Sequence, residues 1–179
     1  MNLVVAIAGK MGSGKTTLSK DLATAMACPR ASFGDYVRQQ VHDRGLPTIR
    51  DNLQVIGTEL LLRDPASFCT SVITSCGWQK GCDLVIDGLR HLITIPIIRR
   101  ITEPAEFRIV YVSVPEEVRL KRLSDRGDGG PQDVARIESH SSEQELGLIA
   151  QIADVEIRGD QVRKMNVSSI RNGLRNQRC

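Results

Sequence analysis

The sequence predicts an α/β fold in which helices cover both faces of a central parallel sheet of about five strands. Short apolar runs alternate with helical stretches along the chain, and the first run leads directly into a glycine-rich loop. Strands that are apolar on both faces are typical of parallel sheets, because helices bury each side. A length of 179 residues suits one such unit, so we expect a single domain over residues 1–179.

The strands are predicted from the apolar runs. The first run, Leu3–Ala8, is continuous and is followed at once by the glycine-rich loop. Further runs lie at Ala31–Phe33, Leu84–Ile86, Ile109–Val112 and Val155–Ile157. The N-terminal run is too short to cross a membrane and has no basic segment before it, so we interpret it as a buried strand rather than a leader or an anchor.

The helices are predicted from the stretches between these runs. Two of them are Thr16–Ala27 and Tyr36–Asp43. Further helix starts are indicated at Thr48–Asp51, Asp64–Pro65, Glu116–Glu117 and Ser142–Glu145. The first and last of these four have capping-box spacing, in which a hydroxyl and a carboxylate bond each other's backbone. The second places proline at the first helical position, where its missing N–H costs nothing.

Composition argues against two classes of partner. The formal net charge is +3, and aromatic residues make up 3% of the chain. A charge that small does not indicate nucleic acid or an anionic membrane, and few aromatic side chains are present to stack on bases. We therefore expect no nucleic-acid or membrane partner, and a protein that acts as a monomer or a homodimer.

The cysteine pattern indicates a reducing compartment. Five cysteines occur, none of them in a C-x-x-C pair or with metal-ligand spacing. An odd number without a disulfide framework fits the cytoplasm. Core filling is the predicted role of Cys28, Cys69, Cys76 and Cys82.

The glycine-rich loop carries the strongest signal in the sequence. Gly9–Thr16 reads GKMGSGKT and fits the pattern G-x-x-x-x-G-K-[ST] at every fixed position. Glycines let the backbone approach a polyphosphate, whose oxygens are bound by successive N–H groups and by the start of the next helix. Lys15 would bind the β- and γ-phosphates and the Thr16 hydroxyl would ligate Mg²⁺, so the predicted cofactors are ATP and Mg²⁺. The predicted ATP contacts are Gly9, Met11, Gly12, Ser13, Gly14, Lys15, Thr16 and Thr17.

Two further segments place charged residues where a second ligand would bind. Asp35 follows a short strand and a glycine, and Arg38 lies three residues on, on the same side of a helix. Asp87 ends the apolar run Leu84–Ile86, at the sheet edge where ligands of open α/β sheets bind. An unpaired carboxylate would be costly to bury there, so Asp87 is a predicted Mg²⁺ ligand through water, and Arg90 is a predicted phosphate contact.

These segments resemble motifs of the adenylate kinase-like nucleoside monophosphate kinases, which have the P-loop NTPase three-layer fold. Gly34–Arg38 is similar to the T-G-D-x-x-R motif of that family, with Phe33 in place of threonine. Asp87–Arg90 looks like its D-G-F-P-R motif, one residue shorter, and Leu120–Arg126 resembles the R-x-x-x-R segment before its lid. The last matched segment, Ala153–Ile157, looks more like the end of dephospho-coenzyme A kinases.

The resemblance implies roles for particular residues. It implies an acceptor-binding helical region at about 35–80 and a short helical lid at about 122–140, with Arg122 and Arg126 in contact with ATP. The implied acceptor contacts are Asp35, Arg38 and Arg90. The implied catalytic residues are Lys15, Asp35, Asp87, Arg122 and Arg126.

The implied reaction is transfer of the γ-phosphate of ATP to a small phosphorylated metabolite, a nucleoside or deoxynucleoside monophosphate. An alternative is a hydroxyl acceptor, as in dephospho-coenzyme A kinases, and Asp35 would then take up the proton that the hydroxyl loses. A monophosphate is already an anion and needs no base. A third interpretation, a nucleotide-dependent switch ATPase without a small acceptor, is disfavoured by the paired arginines Arg38 and Arg90.

Overall fold

Parallel strands form one sheet at the centre of the molecule. The computed structural model describes residues 2–125, 127, 141–160, 170 and 172–174. The strands in that part of the chain are β1 (Leu3–Ala8), β2 (Arg30–Ser32), β3 (Leu84–Leu89), β4 (Glu106–Ser113) and β5 (Val155–Arg158). Their order is β2-β3-β1-β4-β5, and every pairing is parallel. The predicted strands and the predicted parallel sheet are confirmed.

Helices occupy the connections between the strands. Those described are α1 (Lys15–Met26), α2 (Phe33–Asp43), α3 (Arg50–Arg63), α4 (Pro65–Thr74), α5 (Thr94–Thr102), α6 (Glu116–Ser124) and α7 (Ser141–Gln151). The sequence patterns do not predict α5, because TIPIIRRIT is rich in β-branched residues and contains proline, which lower helix propensity. Burial of Ile95 and Ile98 in the core accompanies its formation. The predicted lid at 122–140 lies outside the described residues apart from 122–125 and 127.

The predicted helix start at Asp64–Pro65 is confirmed, whereas the two predicted capping boxes are wrong. The Asp64 side chain accepts from the Ser67 N–H at 2.9 Å and precedes Pro65 at the start of α4. Helix α3 begins at Arg50, but its cap residue is Ile49 and makes no side-chain cap bond, so the predicted capping box at Thr48–Asp51 is wrong. The box predicted at Ser142–Glu145 is also wrong, because α7 already begins at Ser141.

The two faces of β1 belong to two hydrophobic clusters. Val4, Ala6 and Ala8 pack on one face with side chains of α2, α3, α4, α5 and α7. Leu3, Val5 and Ile7 pack on the other face with α1 and with the buried side chains of Ile170 and Leu174. Fully burying one large apolar side chain stabilises a fold by about 1.5–3 kcal/mol. The central strand is therefore held on both sides, and the loop that follows it starts from a rigid position.

A bulge between β1 and β3 places the end of β3 beside that loop. Ile7 pairs with Asp87 and Ala8 pairs with Leu89, so Gly88 is the extra residue. Gly88 has a φ of +89°, a left-handed conformation that glycine adopts without strain. Asp87 thus stands at the carboxyl edge of the sheet next to the strand that enters the glycine-rich loop.

No helix in the described part of the chain is both long and apolar enough to span a bilayer. The cysteines differ in exposure: Cys69 is buried, Cys28 and Cys76 are partly buried, and Cys82 is exposed. The prediction of a core position for Cys82 is therefore wrong.

We expect Cys82 to be alkylated quickly in the native protein and Cys69 only after unfolding. Cys69 has no exposed surface, and burial raises the pKa of its thiol to about 12, so almost no thiolate is available to react. Iodoacetamide labelling at about pH 8, followed by peptide mass spectrometry with and without urea, measures both sites. Equal labelling rates for the two thiols in native protein would contradict the packing of α4.

Candidate active site

The glycine-rich loop turns tightly at the end of β1. Gly12 and Gly14 have φ values of +83° and +98°, which side-chain-bearing residues rarely adopt. The Ser13 N–H donates to the Lys10 carbonyl at 3.1 Å, and the Lys15 ammonium donates to the same carbonyl at 3.2 Å. The loop leads into α1, and a glycine-rich loop followed by a helix N-terminus is the kind of backbone that binds anions.

The floor of the loop is backbone from the ends of β4 and β5. A Cβ on Gly9 would lie 2.6 Å from the Val112 carbonyl oxygen. A Cβ on Gly159, the residue after β5, would lie 1.9 Å from the Ser13 carbonyl oxygen. The Gly159 N–H donates to the Ser113 carbonyl at 2.7 Å, which holds this close approach in place. Gly9 is part of the predicted motif, whereas no sequence pattern points to Gly159.

Arg122 binds the same floor from α6. Its guanidinium donates to the carbonyls of Gly12 and Ser13, each at 3.2 Å, and to that of Gly159 at 3.1 Å. Charged hydrogen bonds of this kind neutralise carbonyls that point away from the anion site. Arg122 thus lies behind the loop, and its predicted contact with ATP stays a prediction. Arg126 lies outside the described residues.

A second arginine of α6 packs behind Gly12. Arg119 is 1% exposed and forms a double hydrogen bond with Glu116, through Nε at 3.0 Å and Nη2 at 2.5 Å. Hydrogen bonding to Arg119 lowers the pKa of Glu116 below its usual value. A Cβ on Gly12 would lie 3.2 Å from Cγ of Arg119, so a side chain there would press on Arg119 in addition to straining a φ of +83°.

A cleft of about 550 Å³ opens above the loop. Its walls are the glycine-rich loop, the start of α2, the first half of α3 and the end of β3. Its charged and metal-ligating side chains include Lys15, Thr16, Arg38, Arg50, Asp87 and Arg90. The structure therefore brings together most of the predicted donor and acceptor residues. Gly9, Ser13, Asp35 and Arg122 do not line the cleft.

Asp87 is buried at the base of the cleft, and one of its two carboxylate oxygens has a hydrogen-bond partner. Only 3% of the residue is exposed, and its Oδ2 accepts from Arg30 Nη2 at 2.5 Å. Its Oδ1 has no hydrogen-bond partner among the described residues. A buried carboxylate oxygen without a partner is costly, which fits a position reserved for a bound ligand.

Asp87 and Thr16 fit a Mg²⁺ site. Mg²⁺ keeps several waters and is commonly held by one or two protein groups together with substrate phosphates. Asp87, whose Oδ1 is buried without a partner among the described residues, and the exposed Thr16 both line the cleft. These residues would hold the ion between the loop and the end of β3.

Arg30 links Asp87 to Asp35, and sequence reasoning missed it. Its Nη1 donates to Asp35 Oδ2 at 2.9 Å, and its Nε donates to Ser19 Oγ at 2.8 Å. Arg38 Nη2 binds the other oxygen, Oδ1, of Asp35. Burial raises the pKa of Asp35, but the hydrogen bonds from Arg38 and Arg30 outweigh it and hold the pKa below its usual value. No local signal marks Arg30, because Asp87 lies 57 residues away in the sequence.

The outer part of the cleft is apolar. Phe33 and Phe68 meet edge to face with ring centroids 5.3 Å apart, and Tyr36 lies 6.0 Å from Phe68. Val37 and Leu53 continue this wall. Because Arg38 and Arg90 line the same cleft, it offers both an anion site and an apolar surface to one ligand.

Glu145 of α7 fastens the loop that carries Arg90. Its Oε1 lies 2.8 Å from Nδ1 of His91, and its Oε2 accepts from the Leu92 N–H at 2.7 Å. This is the bond that Glu145 makes in place of the predicted cap. The loop after β3 is therefore tied to a helix from the far end of the chain.

Comparison with known proteins finds a matching family model and several curated relatives. A family model described as an AAA domain matches residues 5–145. A UPF0200 protein of Methanosarcina mazei is 28% identical over 150 residues, which are 82% of this chain and 78% of that protein. A UPF0200 protein of Thermococcus kodakarensis is 30% identical over 128 residues, which are 70% of this chain and 69% of that protein.

Solved structures share the fold. Shikimate kinase from Aquifex aeolicus superimposes with a TM-score of 0.61 at 18% identity, over 96% of each chain. A gluconokinase from Sinorhizobium meliloti superimposes with a TM-score of 0.52 at 16% identity, over 96% of this chain and 88% of that chain. At such identities the likeness concerns the three-layer fold, which confirms the predicted architecture.

We expect Gly159→Ala to destabilise the protein and weaken ATP binding together. The added methyl group would overlap the Ser13 carbonyl, and overpacking of this kind costs about 1–3 kcal/mol or more. Gly147→Ala is the matched control: Gly147 is an exposed residue of α7 with open space around it, and alanine there should be neutral or stabilising by up to about 1 kcal/mol. Urea unfolding and ATP titration calorimetry measure both effects. Normal ATP affinity in Gly159→Ala would show that the loop does not depend on this approach.

Proposed function

We propose that this chain, which belongs to the AAA domain family and to UPF0200, is an ATP- and Mg²⁺-dependent kinase for a small phosphorylated metabolite. The acceptor class we favour is a nucleoside or deoxynucleoside monophosphate. The observation that carries the proposal is the cleft, which has the phosphate loop on one wall and Arg38 and Arg90 on the others, with Asp87 between them. A switch ATPase without a small acceptor has no use for arginines on the far walls.

The donor side of the reaction is assigned to the loop. The loop N–H groups and Lys15 would bind the β- and γ-phosphates, with Thr17 beside them. Mg²⁺ held by Thr16 and Asp87 would neutralise phosphate charge. The loop floor, made by Gly159 and Arg122, keeps these groups in position before ATP arrives. Such preorganisation is what phosphoryl transfer needs most.

The acceptor side is assigned to α2 and the end of β3. Arg38 and Arg90 would bind the acceptor phosphate, and the wall of Phe33, Phe68 and Leu53 would pack against the rest of the acceptor. An oxygen of the acceptor phosphate attacks the γ-phosphorus as the bond to the β–γ bridging oxygen breaks. ADP leaves with that electron pair, and no proton has to be removed from the acceptor.

The state of Asp35 favours a phosphate acceptor over a hydroxyl. A hydroxyl must lose a proton, so its base needs a free oxygen and a pKa not far below the working pH. Both oxygens of Asp35 are bound, one by Arg30 and one by Arg38, and its pKa lies below the usual value. Asp35 is better suited to positioning Arg38 than to taking up a proton.

The proposal is tested by ADP release with ATP and Mg²⁺ against a panel of acceptors. The panel contains ribo- and deoxynucleoside monophosphates, dephospho-coenzyme A and simple phosphorylated alcohols. Strong stimulation by one monophosphate is the expected result. A preference for dephospho-coenzyme A would move the assignment to a hydroxyl acceptor. ATP hydrolysis that no compound stimulates would favour the switch ATPase.

We expect Arg90→Met and Arg38→Met to raise the KM for the acceptor about ten- to hundredfold, because each removes one charged hydrogen-bond donor. The KM for ATP should stay within about twofold, since neither arginine belongs to the loop. Arg44→Met is the control: Arg44 pairs with Glu59 outside the cleft, so both constants should be unchanged. Equal rises in the two KM values for Arg90→Met would refute the separate acceptor site.

We expect Asp35→Asn to raise the KM for the acceptor but to keep most of kcat. Arg38 loses its anchor in this variant, whereas no proton transfer is lost. The pH profile of kcat of Asp35→Asn should have the same shape as that of wild type between about pH 6 and 9. The reason is that Asp35 of wild type, with its lowered pKa, is ionised throughout that range. A large loss of kcat together with the disappearance of an acidic limb would identify Asp35 as the base.

A further inference from the structure

Arg50 reaches the phosphate loop from the acceptor side of the cleft. It is the first residue of α3, and its Nη1 lies 3.2 Å from Sδ of Met11. Met11 is the third residue of the loop and is followed by Gly12. The side chain of Arg50 is partly buried and lines the same cleft as Lys15 and Asp87. The guanidinium therefore spans the gap between α3 and the loop.

That position lies between the two ligands of the proposed reaction. Behind Arg50, α3 continues along the acceptor wall with Leu53, Gln54 and Gly57. In front of it lies Met11 of the loop. A phosphoryl group passing from the loop side to the acceptor side must cross this region, because the loop forms one wall and α3 another. A fixed positive charge is most effective there, where negative charge spreads over the three equatorial oxygens of the transferring group.

We propose that Arg50 is a catalytic residue, supplied by this chain itself, that binds the phosphoryl group during transfer. As the bond from the γ-phosphorus to ADP breaks and the bond to the acceptor oxygen forms, the guanidinium donates N–H groups to the equatorial oxygens. The guanidinium fork matches two such oxygens, and it keeps its charge at every working pH. This role rests on the proposed kinase function and adds a contact on the side of the γ-phosphate opposite the floor of the loop.

The test is steady-state kinetics of Arg50→Met and Arg50→Lys. Removing one preorganised charge donor of this kind lowers kcat by about 10²–10³. We expect that loss in Arg50→Met, with the KM for ATP within about threefold of wild type, because the interaction forms mainly in the transition state. Arg50→Lys keeps the charge without the fork and should recover part of kcat. A kcat within twofold of wild type in Arg50→Met would overturn the proposal.

The matched control is Arg63→Met. Arg63 is the last residue of the same helix and is exposed, so its replacement removes the same side chain from α3 without touching the cleft. Its kinetic constants should equal those of wild type. Thermal unfolding of Arg50→Met and Arg63→Met compares their stability. A fall in kcat that tracks lost stability, with no recovery in Arg50→Lys, would assign Arg50 a structural role and overturn the proposal.

A binding measurement separates this inference from the proposed function. ADP, Mg²⁺ and aluminium fluoride mimic the transferring phosphoryl group without turnover. Wild type should bind ADP at least tenfold more tightly when fluoroaluminate is present, and Arg50→Met should lose that gain while binding ADP alone normally. If fluoroaluminate still tightens ADP binding in Arg50→Met, the proposed role of Arg50 is wrong even if the kinase assignment holds. If no acceptor on the panel is phosphorylated, the kinase assignment fails, and the loss of fluoroaluminate binding would still identify Arg50 as a γ-phosphate contact.

Discussion

Close approach between backbone atoms shapes the nucleotide side of this molecule. The loop after β1 rests on the last residues of β4 and on Gly159, with so little space that a methyl group on Gly159 would overlap the Ser13 carbonyl. Arg122 then neutralises the carbonyls that this arrangement turns away from the cleft. One side chain thus satisfies three backbone carbonyls, as buried backbone acceptors require.

The charges at the base of the cleft solve a second problem. Two carboxylates close together repel each other, and Asp87 is almost fully buried. Arg30 compensates both, since its guanidinium binds one oxygen of Asp87 and one of Asp35. The second oxygen of Asp87 is buried and has no hydrogen-bond partner among the described residues. One arginine at the start of β2 thus offsets the charge of both carboxylates and is linked through Asp35 to Arg38.

The parts of this arrangement that sequence reasoning predicts are those coded within a few neighbouring residues. The loop, the strand that precedes it and Asp87 at the end of an apolar run are local patterns, and the structure places the loop and Asp87 in one cleft. The roles of Arg30, Gly159 and Glu145 are not predicted, because each residue contacts a partner far away in the sequence. Arg30 lies 57 residues from Asp87, Gly159 lies 146 residues from Ser13, and Glu145 lies 53 residues from Leu92. Capping boxes were overpredicted for a related reason: the spacing at Ser142 and Glu145 is right, but tertiary contacts give Glu145 better partners. Helix α5 shows the same priority, since packing of Ile95 and Ile98 overrides weak helix propensity.

The strand order also has a consequence for the newly made chain. Strand β1 precedes both of its neighbours, because β3 begins only at Leu84 and β4 only at Glu106. Strand pairing across such separations is slow, because the chain loses the entropy of closing a large loop before the strand contacts stabilise it. Until β4 has been synthesised, Leu3–Ala8 remains an apolar segment with one edge uncovered. During translation this segment is therefore an aggregation hazard and a natural binding site for a chaperone.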